Sequence, residues 1–335
     1  MNILITGGAG FIGSHLTERM VKMGHSVTII DDFNTYYDPQ TKWSNLDGVK
    51  DDIHVIEGDI RDAILVERTF AKGAFDQVVH LAARAGVRPS IKDPKLYFTT
   101  NIDGTFNLLD ACRYHEVRRF TFASSSSVYG VNKKVPFAES DPIGRTISPY
   151  AATKLAGEQT CSNYAHLFGI ACTCLRFFTV YGPRQRPDLA ISKFTRKILA
   201  GEPIQQYGDG SSARDYTYVE DIISGIEAAI SYRESNFEVF NLGGSETTTL
   251  REMIELVEKA TGQPAMIEQL PDQAGDVPRT YADVSKATEL LDYKPKTPII
   301  EGINILLVPP VSKSSLKTVI PLCFSKVITL RFFKY

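Results

Sequence analysis

Residues 148–159 read SPYAATKLAGEQ and set a phenol, Tyr150, four positions before an amine, Lys154. On a helix that spacing puts both side chains on one face. Ordinary surface helices carry the same pair, with the lysine snorkelling to water, so its neighbours must decide what it does. Residues 122–130, FASSSSVYG, put four hydroxyls in a row, Ser124 to Ser127. By itself such a run is a polar turn that caps the next helix. Taken together, the two stretches suit one chemistry. A free tyrosine titrates near ~10 and is a poor base at neutral pH. A nearby ammonium favours its phenolate, and a serine hydroxyl can hold a substrate oxygen and share its proton. That is a site for oxidising an alcohol, and it requires a hydride acceptor.

The first residues offer a place for one. ILITGGAGFIGSHL, residues 3–16, runs from an apolar stretch through Gly7, Gly10 and Gly13 into a helical pattern. Glycine permits the tight turn and lets a pyrophosphate approach the backbone. The helix start, with Phe11 and Ile12 inside the turn, offers free N–H groups and a positive dipole end. Asp31 closes the next apolar run, 18 residues after Gly13. An acid there can bond the adenosine ribose and would repel a 2′-phosphate, which favours NAD over NADP. Asp32 and Asn34 follow it. Asp59 and Ile60 close a third run, and Leu81, Ala82 and Ala83 a fourth, where small side chains let a cofactor pass.

These positions presuppose an alternating architecture. Strands are expected at 2–6, 26–31, 53–58, 77–82, 119–124 and 171–178, and helices at 11–23, 61–72, 98–115 and 149–168. Continuous Val/Ile/Leu runs imply strands buried on both faces. Right-handed strand–helix–strand units then give an α/β fold: a Rossmann-type doubly wound parallel sheet with a smaller α/β C-terminal substrate lobe. The expected division is 1–178 for the NAD-binding domain, to which later segments return, 179–302 for the lobe, and 303–335 for a tail. That tail holds five basic residues and no acidic one, and Pro309, Pro310 and Pro321 break its apolar runs. An altered reading frame or terminus in the gene would account for it.

Composition narrows the function class. A formal net charge of −2 over 335 residues, with no basic stripe in the first 300, argues against nucleic acid as partner. No apolar run reaches the ~20 residues that span a bilayer. Five cysteines form neither a disulfide framework nor a metal-ligand spacing. MNILITGG reads as a first strand and not as a secretory leader, which makes a reducing, cytoplasmic setting the expectation. Cys172 and Cys174 should point to one side of a strand.

Taken together, TGGAGFIG, Asp31, HLAA (80–83), the serine run, Tyr150-x-x-x-Lys154 and RDYTYVED (214–221) resemble the extended short-chain dehydrogenase/reductases, specifically the nucleotide-sugar epimerases. The resemblance spans residue 1 to about 302. It implies Ser125, Tyr150 and Lys154 as catalytic residues, with Asn101 on the cofactor side. Ser124, Ser126, Tyr207 and Asp276 become substrate contacts, and Arg214 a contact to the nucleotide diphosphate. A homodimer is implied too, through a four-helix interface of 98–115 and 149–168.

DDFNTYYD (31–38), ARAGVRPSI (83–91) and TVYGPRQRPDLAI (179–191) look like UDP-glucuronate 4-epimerase. In that group Thr179 and Arg186 would hold the sugar carboxylate, and an arginine fork suits that task. Arg88 is a second cation, for phosphate or carboxylate. A 4-keto uronic acid is a β-keto acid and can lose CO2, so an epimerase must restrain the carboxylate. A decarboxylase would carry an acidic residue to drive that loss, whereas Thr179 is neutral and the serine run has no carboxylate. Gln273 stands where many neutral-sugar epimerases have a phosphate-binding arginine, which shifts that contact to Arg214 or Arg279. The rivals are a UDP-glucose or UDP-N-acetylglucosamine 4-epimerase, a uronate decarboxylase, and a sugar-nucleotide or NAD sensor without turnover.

Overall fold

The computed structural model describes residues 1–271 and 277–307. Its first part alternates β1 (Asn2–Thr6), α1 (Phe11–Lys22), β2 (Ser26–Asp31), α2 (Pro39–Ser44), β3 (Ile53–Glu57), α3 (Ala63–Gly73) and β4 (Gln77–His80). Then come α4 (Val87–Lys92), α5 (Pro94–Phe98), α6 (Gly104–Tyr114), β5 (Arg119–Ser125), α7 (Pro149–Phe168) and β6 (Ala171–Phe177). These six strands and a later one, Phe237–Leu242, form a seven-stranded sheet whose registered pairs are all parallel. In chain order of its strands it reads seventh, sixth, fifth, fourth, first, second, third. The order reverses between β1 and β4, where an open α/β sheet forms its ligand crevice. The doubly wound expectation holds, because strands such as Ile3–Thr6 and Gln77–His80 are buried throughout and need helices on both faces.

Local chemistry sets the boundaries. Asp62 caps α3 by accepting from the N–H groups of Ile64 and Leu65, so that helix starts at 63 rather than 61. Ser148 caps α7 through the Ala151 N–H at 3.1 Å, Pro149 takes the first turn, and Gly169 at φ 65° ends it. Along α7, Ala151, Lys154, Glu158, Cys161 and Ala165 recur every three or four residues and are all buried against the sheet. Gly157 lets the helix sit close: a Cβ there would stand 2.3 Å from Phe122 Cζ of β5.

The helical stretch expected over 98–115 is present, with one departure from regular α-geometry. It is interrupted by a π-turn at Thr99–Asp103, between α5 and α6. The wider turn carries Asn101, whose amide binds the Arg84 carbonyl and the Thr153 hydroxyl, each at 3.0 Å. Single-turn π-bulges inside α-helices are frequent at functional sites.

The remaining chain builds β7 (Thr179–Tyr181), α8 (Ala190–Leu199), β8 (Ile204–Tyr207), β9 (Ala213–Arg214), β10 (Tyr216–Tyr218) and α9 (Val219–Ser231). The strand at Phe237–Leu242 is β11, which returns to the central sheet beside β6. β12 (Thr248–Thr249), α10 (Leu250–Thr261), β13 (Ile267–Leu270), α11 (Ser285–Leu291) and α12 (Ile299–Leu307) follow. β7 pairs with β10, β9 with β12 and β8 with β13, as three small two-stranded sheets. Most of the expected tail lies outside the described residues. Cys112, Cys161, Cys172 and Cys174 are buried free thiols. No described helix is long and apolar enough to cross a membrane.

Candidate functional site

The turn after β1 is built for close backbone approach. Gly7 has φ 72°, and a Cβ on it would stand 2.8 Å from the Ala82 nitrogen. A Cβ on Gly13 would stand 2.0 Å from the Gly7 carbonyl oxygen, so neither position accepts a side chain. Above this turn, at the carboxyl ends of the strands, lies a cavity of about 490 Å³. Gly7, Gly10, Phe11, Ile12 and Gly13 line it, as do Asp31 at the end of β2, Asp32 and Asn34 after it, and Asp59 and Ile60 beyond β3. Leu81, Ala82 and Ala83 beyond β4 complete that half. A glycine cradle beside a buried carboxylate fits a dinucleotide.

Asp31 is more engaged than its sequence position suggests. It accepts from the Ala9 and Phe33 N–H groups at 3.2 and 3.0 Å, and from Lys42 Nζ at 3.2 Å. Burial raises its pKa against the pull of the Lys42 ammonium. Lys42 is itself buried on α2 and lines the cavity. It was missed because nothing in its spacing marks it; the fold brings it 11 residues back onto Asp31. Arg84, also missed, lines the cavity and reaches Asp32 at 3.2 Å.

Ser125, Tyr150 and Lys154 line the other half of the cavity. Ser125 ends β5, while Tyr150 and Lys154 occupy the first two turns of α7, which packs on β5 and β6. Lys154 is 4% exposed, and its Nζ donates to the Ala123 carbonyl at 2.6 Å. Burial lowers its pKa from 10.5 to about 8. The Tyr150 phenol is raised by burial, and the Ser125 hydroxyl and the Arg186 guanidinium only partly counter this. The expectation that the Lys154 ammonium eases phenol ionisation is thus corrected for the chain alone. The lysine is turned to a backbone carbonyl, with its Nζ 6.0 Å from the Tyr150 ring centre.

The other expected residues separate into groups. Ser126, Thr179 and Arg186 line the cavity with the catalytic trio. Ser124 reaches it too, and its hydroxyl donates to Glu158 at 2.5 Å. Glu158 in turn receives Arg176 through two bonds of 2.9 and 2.8 Å, forming a buried ion pair behind the site. Asn101 does not line the cavity. Its side chain holds Arg84, accepting the N–H at 2.8 Å, and so fixes the 82–86 segment. Arg214 lines a second cavity of about 160 Å³ that shares Val87, Ser126, Ser127 and Thr179 with the first. Arg88 stacks on Tyr207 with its guanidinium carbon 5.0 Å from the ring centre, and neither lines these two cavities. Asp276 and Gln273 fall outside the described residues.

Comparison with known proteins follows this geometry. The family model for GDP-mannose 4,6 dehydratase matches residues 4–306. UDP-glucuronate 4-epimerase 1 of Arabidopsis thaliana is 40% identical over 323 residues, covering 91% of this chain and 75% of that protein. Among solved structures, UDP-glucuronic acid 4-epimerase from Bacillus cereus, in complex with UDP-glucuronic acid and NAD, superposes with TM-score 0.86 at 38% identity. The UDP-glucose 4-epimerase of Thermotoga maritima, with UDP-glucose, superposes with TM-score 0.85 at 35% identity. Each alignment covers 91% of this chain and 97% of the other.

Proposed function

This chain belongs to the GDP-mannose 4,6-dehydratase-like family of extended short-chain dehydrogenase/reductases, and from that premise we propose that it is an NAD-dependent UDP-sugar 4-epimerase acting on UDP-glucuronate. Bound NAD supplies reversible hydride acceptance at C4 of the sugar. Tyr150 takes the proton of the 4-hydroxyl and returns it, Ser125 holds the same oxygen, and Lys154 supports the cofactor ribose. With NAD held by the Gly7–Gly13 turn and Asp31, such a site would invert C4 without net oxidation and would give UDP-galacturonate.

The observation that carries the uronate is the place of Arg186. It shares the cavity with Ser125 and Tyr150, and its charge acts on the Tyr150 phenol. C6 of a hexuronate lies two bonds from C4. A carboxylate on a sugar whose 4-oxygen meets Tyr150 therefore falls beside that phenol, where a cation is needed. Thr179 lines the same wall and can share the carboxylate. Arg214, Arg88, Tyr207 and Asp276 are assigned to the UDP end, and Asn101 to the cofactor side through the loop it holds.

One feature favours a second reading. Asp188 already pairs with Arg186 at 2.8 Å, so the sugar end carries no net charge from this pair, and neutral UDP-glucose or UDP-N-acetylglucosamine is the alternative. Incubation with each UDP-sugar, followed by proton NMR of the products, decides between them. Formation of UDP-galacturonate from UDP-glucuronate is the expected result; conversion of UDP-glucose alone overturns it, and release of CO2 with a UDP-pentose marks a decarboxylase. The four buried free thiols suit a reducing compartment such as the cytoplasm. We also assign a homodimer formed through α5, α6 and α7, where Phe98 and Phe106 stand 43% and 49% exposed.

A further inference from the structure

Arg186 is held from two sides. Its Nε donates to Oδ1 of Asp188 at 3.0 Å and its Nη2 to Oδ2 at 2.8 Å. Those bonds use the side edge of the guanidinium. A guanidinium has five N–H donors in a rigid fork, so its end edge, formed by Nη1 and the second hydrogen of Nη2, is not used by this pair. Tyr36 completes the unit. Its hydroxyl donates to Oδ2 of Asp188 at 3.3 Å, and its ring centre lies 5.2 Å from the guanidinium carbon. Tyr36 belongs to the segment after β2 that carries Asp32 and Asn34, whereas Arg186 and Asp188 lie between β7 and α8. Residues from the dinucleotide end and from the sugar end thus meet on one side chain.

Resting on the reading that Arg186 receives a sugar carboxylate, we propose that Asp188 and Tyr36 are positioning residues for the uronate. They fix the guanidinium by its side edge and one face, so that its end edge is presented to the substrate carboxylate in the cavity shared with Tyr150. A long side chain that is already ordered loses little freedom when the ligand arrives, and affinity gains accordingly. Asp188 also repels an incoming carboxylate, and the two effects oppose each other. The orienting effect wins for a physical reason. The Asp188 side chain is 39% exposed against 17% for Arg186, so water and salt screen its repulsion. Geometry is not screened.

The test is titration calorimetry of the full-length, NAD-loaded protein with UDP-glucuronate and with UDP-glucose, accompanied by turnover on the uronate. Asp188→Ala is expected to weaken UDP-glucuronate by about tenfold and UDP-glucose by less than about twofold, with kcat on the uronate nearly kept. Asp188→Asn, which keeps an acceptor oxygen without the charge, should fall between. Tyr36→Phe, which keeps the ring and removes the hydroxyl, should weaken the uronate by about threefold in the same selective manner. Equal or tighter uronate binding by Asp188→Ala, or equal losses for both sugars, overturns the positioning role while Arg186→Ala still loses the uronate selectively. If Arg186→Ala changes neither sugar, the uronate reading itself fails and this inference goes with it.

Discussion

Tyr150 and Arg186 bear most of the proposed chemistry, and each has its own readout. Burial alone holds the Tyr150 phenol above its ordinary range, so its ionisation depends on charge brought into the cavity. Tyr150→Phe removes the proton carrier and leaves the glycine turn intact. Turnover should fall by roughly 10³-fold with NAD affinity nearly unchanged, as measured by NMR product formation and by cofactor titration. Full turnover in that variant would remove the mechanism. Arg186→Ala should raise KM for UDP-glucuronate by about 2 kcal/mol, roughly thirtyfold, because a charged hydrogen-bond partner is lost. KM for UDP-glucose should move less than about threefold, which steady-state kinetics on both sugars checks. Ser124, Lys42 and Asp188 show how far a residue's type falls short of its role. Ser124 stands in a serine run that points to substrate, yet its hydroxyl faces Glu158. Lys42 and Asp188 carry no motif, and only contacts made across the fold reveal them.

At the scale of elements, β4 shows how a strand can set a pH limit. His80 is fully buried between the Thr6 hydroxyl at 2.7 Å and the Thr105 hydroxyl at 2.9 Å. Burial, with the Lys154 charge adding to it, lowers its pKa from 6.5 to about 3. The unfolded chain therefore takes up this proton first as pH falls. The contribution of neutral His80 is complete above about 6.5 and is lost progressively toward 3. From pH 7 to pH 5 the loss should be about 2 kcal/mol, seen as a lower denaturant midpoint, and His80→Gln should flatten that slope. An unchanged slope in the variant would place the acid sensitivity elsewhere. The π-turn at Thr99–Asp103 is the other element with a distinct task. It swings Asn101 toward Arg84, and so positions the 82–86 backbone against the Gly7 turn.

At the scale of the whole molecule, the flank of α5, α6 and α7 leaves Phe98 and Phe106 open to solvent. Phe106 meets Tyr164 of α7 edge-on at 6.3 Å and still keeps about half its surface exposed. A second copy laid against this flank would cover Phe98 and Phe106 together. Light scattering should give a dimer mass for the native chain and a monomer mass for the Phe98→Asp/Phe106→Asp double variant. A native monomer, or a variant that remains a dimer, would assign this face to something else.

Much of this was legible in the sequence. The glycine turn, Asp31, the serine run and the Tyr150–Lys154 spacing are local signals, because each depends on backbone geometry within one strand–turn–helix unit. Continuous apolar runs likewise announced the six parallel strands, since burial on both faces leaves a composition that periodicity can read. The tertiary structure decided everything that depends on distant segments meeting. It joined β11 to β6 across 59 residues of intervening chain, and it turned Ser124 inward and Asn101 onto a loop. It also brought Tyr36 to Arg186 and Asp188. Residue type limits what a side chain can do, but its partner is chosen by packing of the whole chain, and no spacing within a single segment encodes that choice.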